Sequence, residues 1–181
     1  MVKRDVDLEI KILKAAYGIF NSDGLSKISA RTIAKKAGIS TYPIYSHFES
    51  INKLTDLIVK MAVKDFEFGL YSLSIKSSTL KVEVQIFRLF TKLPGLYSEI
   101  ANGNKYVISE CSKIISECYQ IVFDNTKLFL LATLFGIQKK ISLPERYDFD
   151  LEVVNRMCCH IGEKDKLSSD NLSSNKLLVN E

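Results

Sequence analysis

A chain of 181 residues that is 46% apolar, with ten Phe, eight Tyr and only three Pro, can bury a sizeable core and is not a disordered polymer. Its formal net charge of +4 sits wholly in residues 1–60, where ten Lys and Arg face six Asp and Glu, whereas residues 61–181 hold fifteen of each. A basic third beside a neutral remainder favours a polyanion-binding head on a body with another task, although a charge of +4 is by itself ordinary for a soluble protein.

Most of the chain reads as helix, so the expected fold class is all-α. The first helix spans 7–21, with Leu8, Ile12, Ala16 and Ile19 recurring at helical spacing, and Gly24 stops it. Ser29 is placed to N-cap a second helix whose Ile33, Ala34 and Ala37 face inward and which ends at Gly38. Ser40 is the expected cap of a third, very short helix reaching Phe48, with Pro43 in its first turn, where a missing N–H costs little. A long fourth helix is expected over 50–71, with Leu54, Leu57, Ile58, Met61 and Ala62 as its stripe and Phe66 and Phe68 extending it. Residues 72–79, Ser-Leu-Ser-Ile-Lys-Ser-Ser-Thr, read as the internal linker. Further helices are expected at 80–93, 94–101, 104–124, 126–141 and 149–161; Pro94 suits a helix start, and Asn102-Gly103 and Leu143-Pro144 interrupt the chain. No internal repeat is evident. The polar stretch from Glu163 is expected to be frayed or only loosely docked. The resulting division is a helix-turn-helix domain at 1–50, a helical regulatory and dimerisation domain at 51–162, and a polar tail at 163–181.

Two of these helices carry chemistry. A short pair joined at Gly38, the second opening with hydroxyls and aromatics rather than charge, is the form of a helix-turn-helix whose second helix enters a DNA major groove. Thr41 and Tyr42 occupy the first turn of that helix, where hydroxyls reach phosphates or base edges, and Pro43 offers an apolar surface to a thymine methyl. Tyr45, Ser46 and His47 add donors on the next turn. Ser29, Arg31 and Thr32 stand at the start of the preceding helix, and Ser40 at the turn, placed for backbone phosphates. Ile33, Ile39, Ile44 and Phe48 are scaffold. Each residue taken singly has a plainer use: a Tyr as half-buried packing, His47 as a filler of a surface groove, Thr32 as a satisfied helix hydroxyl. Their combination carries the DNA reading.

These residues also carry a resemblance. Ile33-Ala34-Lys35-Lys36-Ala37-Gly38-Ile39-Ser40, then Ile44-Tyr45-Ser46-His47-Phe48, then Lys53-Leu54, behind a first helix ending Phe20…Gly24, resemble TetR-type bacterial transcriptional regulators over the first sixty residues. The resemblance implies a homeodomain-like three-helix DNA-binding head on a helical C-terminal body, in a homodimer joined by its last two long helices as a four-helix bundle. That body usually encloses a small-molecule pocket. Two departures stand out. The family often has a Ser-Lys pair after the Phe, with the Lys beside a phosphate; here Ile51 follows Ser50 and the next lysine is Lys53, so the contact either shifts to Lys53 or is weaker. The family often has Gly within the first turn of the recognition helix, where this chain has Tyr42 and Pro43.

In the body, residues 128–137 are apolar on nearly every side, as in a helix buried against its own body and a partner, and Gly136 admits a close backbone. With the stripe Leu151, Val154, Met157, Cys158 and Ile161, the helices near 126–141 and 149–161 are the expected dimer surface. Phe87, Phe90, Tyr97, Tyr106, Tyr119 and Phe123 are the candidate lining of an effector pocket, though aromatics at helical spacing more often form plain core. Cys111 and Cys118 read as core thiols, with a redox sensor as the lesser reading; with Cys158 and Cys159 they show neither metal-site nor disulfide spacing. No catalytic constellation stands out, His160 having no spaced ligand partner, so neither an enzyme nor a cofactor or metal site is expected. The first residues, Met-Val-Lys-Arg-Asp-Val-Asp, open no apolar signal region, and the longest apolar run is too short to cross a bilayer, so a cytoplasmic protein without membrane association is expected. The expected function is a homodimeric repressor that binds a double-stranded DNA operator and is released by an unknown small-molecule effector. The alternative keeps DNA binding but places a peptide or protein partner in control.

Overall fold

The apolar spacing of residues 12–20 builds the first element of the computed structural model, which describes residues 6–76 and 81–141. Helix α1 (Val6–Asp23) buries Ile12, Ala15, Ala16, Ile19 and Phe20 on one face. Gly24 ends it with φ 81 and ψ 174, a conformation open to glycine but strained for other residues. A single 3-10 turn, Leu25–Lys27, follows; nothing in the sequence reading anticipated it. Helices α2 (Ala30–Ala37) and α3 (Tyr42–Phe48) then pack against α1, and α3 also packs on the start of α4 (Ile51–Lys76).

The fourth helix is longer than expected. The polar run Ser72–Lys76 read as linker, yet α4 continues through it, the Ser74 hydroxyl donating back to the Tyr71 carbonyl at 2.8 Å. Leu54, Ile58, Ala62, Phe66 and Leu70 are fully buried along α4, at spacings of four residues. Leu57 and Phe68, expected on that stripe, lie outside it: Phe68 is 78% exposed.

Helices α5 (Val82–Lys92), α6 (Pro94–Ala101) and α7 (Lys105–Tyr119) wrap this central helix, with α7 making the most extensive contact. Gly95 lets α6 lie directly on the end of α1. A Cβ there would stand 2.7 Å from both the Phe20 carbonyl oxygen and its ring, and the Gly95 amide donates to Asn21 Oδ1 at 3.3 Å. Asn104 caps α7 by accepting from the Val107 amide at 3.3 Å. That helix was expected to reach 124 but ends at Tyr119, because Gln120 turns left-handed (φ 53). Ser116 Oγ then accepts from the Phe123 amide at 3.2 Å, folding the chain back. Asp124 caps α8 (Asn125–Ile141) through the Lys127 amide at 2.7 Å.

The described residues are thus all-helical, as the sequence implied. The chain divides into two compact units after Ala132, and within the first unit Leu128, Leu131 and Ala132 of α8 are buried. Of the second unit only the end of α8 is described. The expected helix at 149–161, the break at Leu143-Pro144, His160 and the tail from Glu163 lie outside the described residues. No helix among the described residues is long and apolar enough to cross a membrane.

Candidate nucleic-acid interface

Helices of eight and seven residues are too short to hold themselves in water, so α2 and α3 depend on their ends and on what they pack against. Ser29 and Thr32 form a reciprocal capping box. Ser29 Oγ accepts from the Thr32 amide at 3.1 Å, and Thr32 Oγ1 accepts from the Ser29 amide at 3.0 Å. The Thr32 hydroxyl also donates to the Lys27 carbonyl at 2.8 Å, tying the helix start to the preceding turn. At the other end Gly38 is left-handed (φ 63, ψ 43), and the Ile39 amide donates to the Ala34 carbonyl at 3.0 Å. Both ends of α2 are therefore fixed by residue types that could be read from the sequence.

The start of α3 departs from expectation. Ser40 does not cap it; Thr41 occupies the cap position with helical angles (φ −77, ψ −22) and makes no capping bond. Pro43 does fall in the first turn. Ile44 and Phe48 are buried and fasten the helix, with Ile33 buried and Ile39 half-buried beneath it.

The remaining side chains of α3 divide into two sets. Thr41, Tyr42, Tyr45 and Ser46 are exposed, Tyr42 by 79% and Tyr45 by 51%, and Pro43 is half-buried beside them. Ser46 Oγ donates to the Pro43 carbonyl at 3.1 Å, which leaves its lone pairs outward. His47 turns the other way. Its side chain is only 9% exposed, and its Nδ1 lies 3.9 Å from Glu9 Oε2 of α1 with no hydrogen-bond partner. Its ring is therefore not part of the exposed donor face. Ser29, Arg31, Thr32 and Ser40 are exposed, but the Ser29 and Thr32 hydroxyls already serve the capping box. The structure thus brings Thr41, Tyr42, Pro43, Tyr45 and Ser46 onto one outward surface running from the cap position of α3 to its second turn, and the N-terminal residues of a recognition helix are those that meet base edges.

Lys53 stands at the start of α4, exposed and paired with the Glu49 carboxylate one turn earlier. Its own amide donates to Ser50 Oγ at 3.2 Å, so Ser50 caps α4. Glu49 was missed in the sequence. Its backbone is at φ 62 and ψ −45, and the Ser50 amide donates to the Phe48 carbonyl at 2.6 Å, forming a γ-turn. For a residue with a Cβ such a conformation costs on the order of 1–3 kcal/mol. A helix end directly before a serine cap was the available signal. Lys35 and Lys36, in the last turn of α2, are also exposed. A Cβ on Gly18 would meet the Lys36 Nζ at 3.0 Å, so that cation lies across α1.

The aromatic residues chosen as pocket lining do not form one group. Phe87 and Phe90 are buried and stacked with centroids 6.3 Å apart, and Tyr97 packs on Phe90 at 5.5 Å. Tyr119 instead donates its hydroxyl to the buried Gln85 at 2.6 Å, and burial pushes its phenol up to about 12. Phe123 is buried under the Lys127 ammonium, 4.9 Å from its ring centre. Tyr106 is exposed and lines two open clefts of about 330 Å³, one with Lys60, Lys64, Glu67 and Lys113, the other with Leu25, Thr55 and Asp56. Cys111 is fully buried, and that burial raises its thiol so that it stays protonated. No group of three or more His, Cys, Asp and Glu among the described residues could hold a metal ion.

Comparison with known proteins agrees with this geometry. Residues 12–57, from α1 to the first turns of α4, match the family described as bacterial regulatory proteins, tetR family. No curated protein matches the chain. Among solved structures, the multidrug binding protein EbrR complexed with imidazole is similar at a TM-score of 0.57 and 16% identity, over 86% of this chain and 96% of that one. A TetR family member from Streptomyces coelicolor A3 is similar at 0.56 and 17%, over 82% and 96%. A TetR transcriptional regulator from Rhodococcus sp. RHA1 follows at 0.50 and 20%, over 83% and 92%. At these identities the likeness is one of fold. Residues 12–57 thus match the tetR-family helix-turn-helix head, and the chain as a whole shares the fold of these solved structures.

Proposed function

We propose that the chain is a homodimeric repressor that binds a two-fold DNA operator in the cytoplasm and is released by a small molecule bound in its body. The exposed face of α3 carries this reading: Thr41, Tyr42, Tyr45 and Ser46 stand outward on a helix that buries only Ile44 and Phe48. Thr41, Tyr42, Pro43, Tyr45 and Ser46 are the proposed groove contacts, with Arg31, Ser40 and Lys53 on phosphates. Ser29 and Thr32 act through the cap that aims α2, its amides facing the backbone. His47 acts by seating α3 on α1. In this reading residues 1–50 bind DNA, 51–162 sense and dimerise, and 163–181 form a tail.

A dimer suits the proposed two-fold operator, which would pair two heads one helical turn or a multiple apart. The apolar helix at 126–141 and the stripe at 149–161 support the proposed bundle. Effector control draws support from the structurally similar EbrR, a multidrug binding protein complexed with imidazole. An effector acts by binding better to a head spacing that does not fit the operator.

Binding of the full chain to labelled duplexes tiling the DNA upstream of its gene tests the reading, with log K measured against log salt. One fragment bound far more tightly than a scrambled duplex, with a negative linear slope, is the expected result. Equal, weak binding of all fragments would refute it. Sedimentation of the free chain tests the dimer, for which a monomer at micromolar concentration is the contrary result.

A further inference from the structure

We propose that Glu49 is a negative element of the DNA-binding surface: its carboxylate holds the Lys53 ammonium, and this pair must open before Lys53 can meet a phosphate. The inference rests on the DNA-binding reading above and goes beyond it in giving an acidic residue a role at the interface.

The first observation is the ion pair. Lys53 Nζ and the Glu49 carboxylate are joined across one turn, with the two side chains 63% and 69% exposed. Ser50 Oγ, between them in sequence, holds the Lys53 amide. The base of the lysine is therefore fixed, and only its long stem can swing between carboxylate and solvent. The second observation is the backbone. Glu49 adopts φ 62 and ψ −45 in a γ-turn, which glycine would accept without strain. The chain bears that strain while placing an acidic side chain where the proposed recognition helix gives way to α4. The third is charge. Residues 1–60 carry the whole positive excess of the chain, and between the start of α2 and the first turn of α4, residues 30–54, Glu49 is the single acidic residue.

The physical consequence follows from the weakness of exposed ion pairs in water. A carboxylate one turn away neutralises much of the Lys53 field at a distance, but a phosphate at contact can displace it. Glu49 therefore opposes binding to any duplex, regardless of sequence, because phosphate contacts carry no sequence information. Complexes in which α3 also makes base-edge contacts tolerate the opposition best. The pair thus lowers general affinity for DNA and leaves discrimination to Thr41, Tyr42, Pro43, Tyr45 and Ser46.

Anisotropy titrations of the full chain with its upstream duplex and with a scrambled duplex of equal length test this in a double-mutant cycle. Glu49→Gln keeps the side-chain size and removes the charge. It is expected to tighten both complexes about two- to fivefold at low salt, the gain shrinking as salt rises. In a Lys53→Gln background the same change is expected to give little or no gain. Glu49→Gly, which also relaxes the turn, should reproduce the tightening and raise the melting temperature. Unchanged or weaker binding by Glu49→Gln overturns the proposal, as does an equal gain with and without Lys53, which would mean diffuse repulsion. If the unaltered chain binds neither duplex, the DNA-binding reading fails and takes this one with it. Salt-dependent binding without the Lys53-linked gain defeats only the role of Glu49.

Discussion

The α2–α3 pair and the α5–α7 layer solve the same problem of holding helices in place by different means. In the pair, fifteen helical residues bury only Ala30, Ile33, Ala34, Ala37, Ile44 and Phe48, and position comes from a capping box, a left-handed glycine and a proline. In the layer, longer helices bury near-continuous stripes, Gln85 to Phe90 on α5 and Val107 to Ile115 on α7. An element that must offer a face to a partner cannot spend that face on packing, so it is held by its ends. An element with no such duty is held by its sides. Stability and binding should therefore separate in this molecule when residues are changed.

The largest effect belongs to the layer. Phe90→Ala removes a ring that is 1% exposed and packed on Phe87 and Tyr97, and should cost about 3–5 kcal/mol in denaturant unfolding. A cost below 1 kcal/mol would mean the layer is not held by its core. Gly95→Ala comes next. Its new methyl meets the Phe20 carbonyl at 2.7 Å, and the unfolding midpoint should drop by the equivalent of about 1–3 kcal/mol.

Changes on the exposed face of α3 should invert this pattern. Tyr42→Ala and Tyr45→Ala leave a surface that was already 79% and 51% exposed, so unfolding should move by no more than about 0.5 kcal/mol. Operator affinity, in contrast, should fall about tenfold for each. Equal losses of stability and affinity would erase the distinction between the two regions. The smallest effect lies between them. Ser29→Ala breaks the capping box and should cost about 1 kcal/mol of stability, with a several-fold loss of operator affinity because α2 loses its aim. Ser29→Gly should recover most of the stability.

The same contrast explains what the sequence disclosed. The head was legible because its geometry is set by local residue types: Ser29 before an apolar run, Gly38 after one, Pro43 in a first turn. In the body, Pro94 and Asn102-Gly103 marked the ends of α6, and Leu54, Ile58 and Ala62 of α4 were legible from their four-residue spacing, though Leu57 and Phe68 were not. Sequence cues failed where the decisive bond was not local in kind. Gln120 adopts a conformation usual for glycine, and Ser116 reaches seven residues ahead to Phe123, so the end of α7 left no compositional mark. Ser72 and Ser74 read as linker because serine favours turns, yet a helix already running on a packed face carries them along. In the candidate site, residue types predicted which positions lie on α3 but not which way they point. His47 turns to Glu9 of α1, a contact across 38 residues that no spacing rule contains. Glu49 escaped notice because an acidic residue at a positive φ is what neither propensity nor charge would place there.

Backbone hydrogen exchange of the full chain, free and bound to its tightest upstream duplex, tests the central claim most directly. The account predicts that added protection concentrates in residues 29–53, across the start of α2, all of α3 and the first turn of α4. Protection confined to the body, with the α2–α3 segment unchanged, would contradict it.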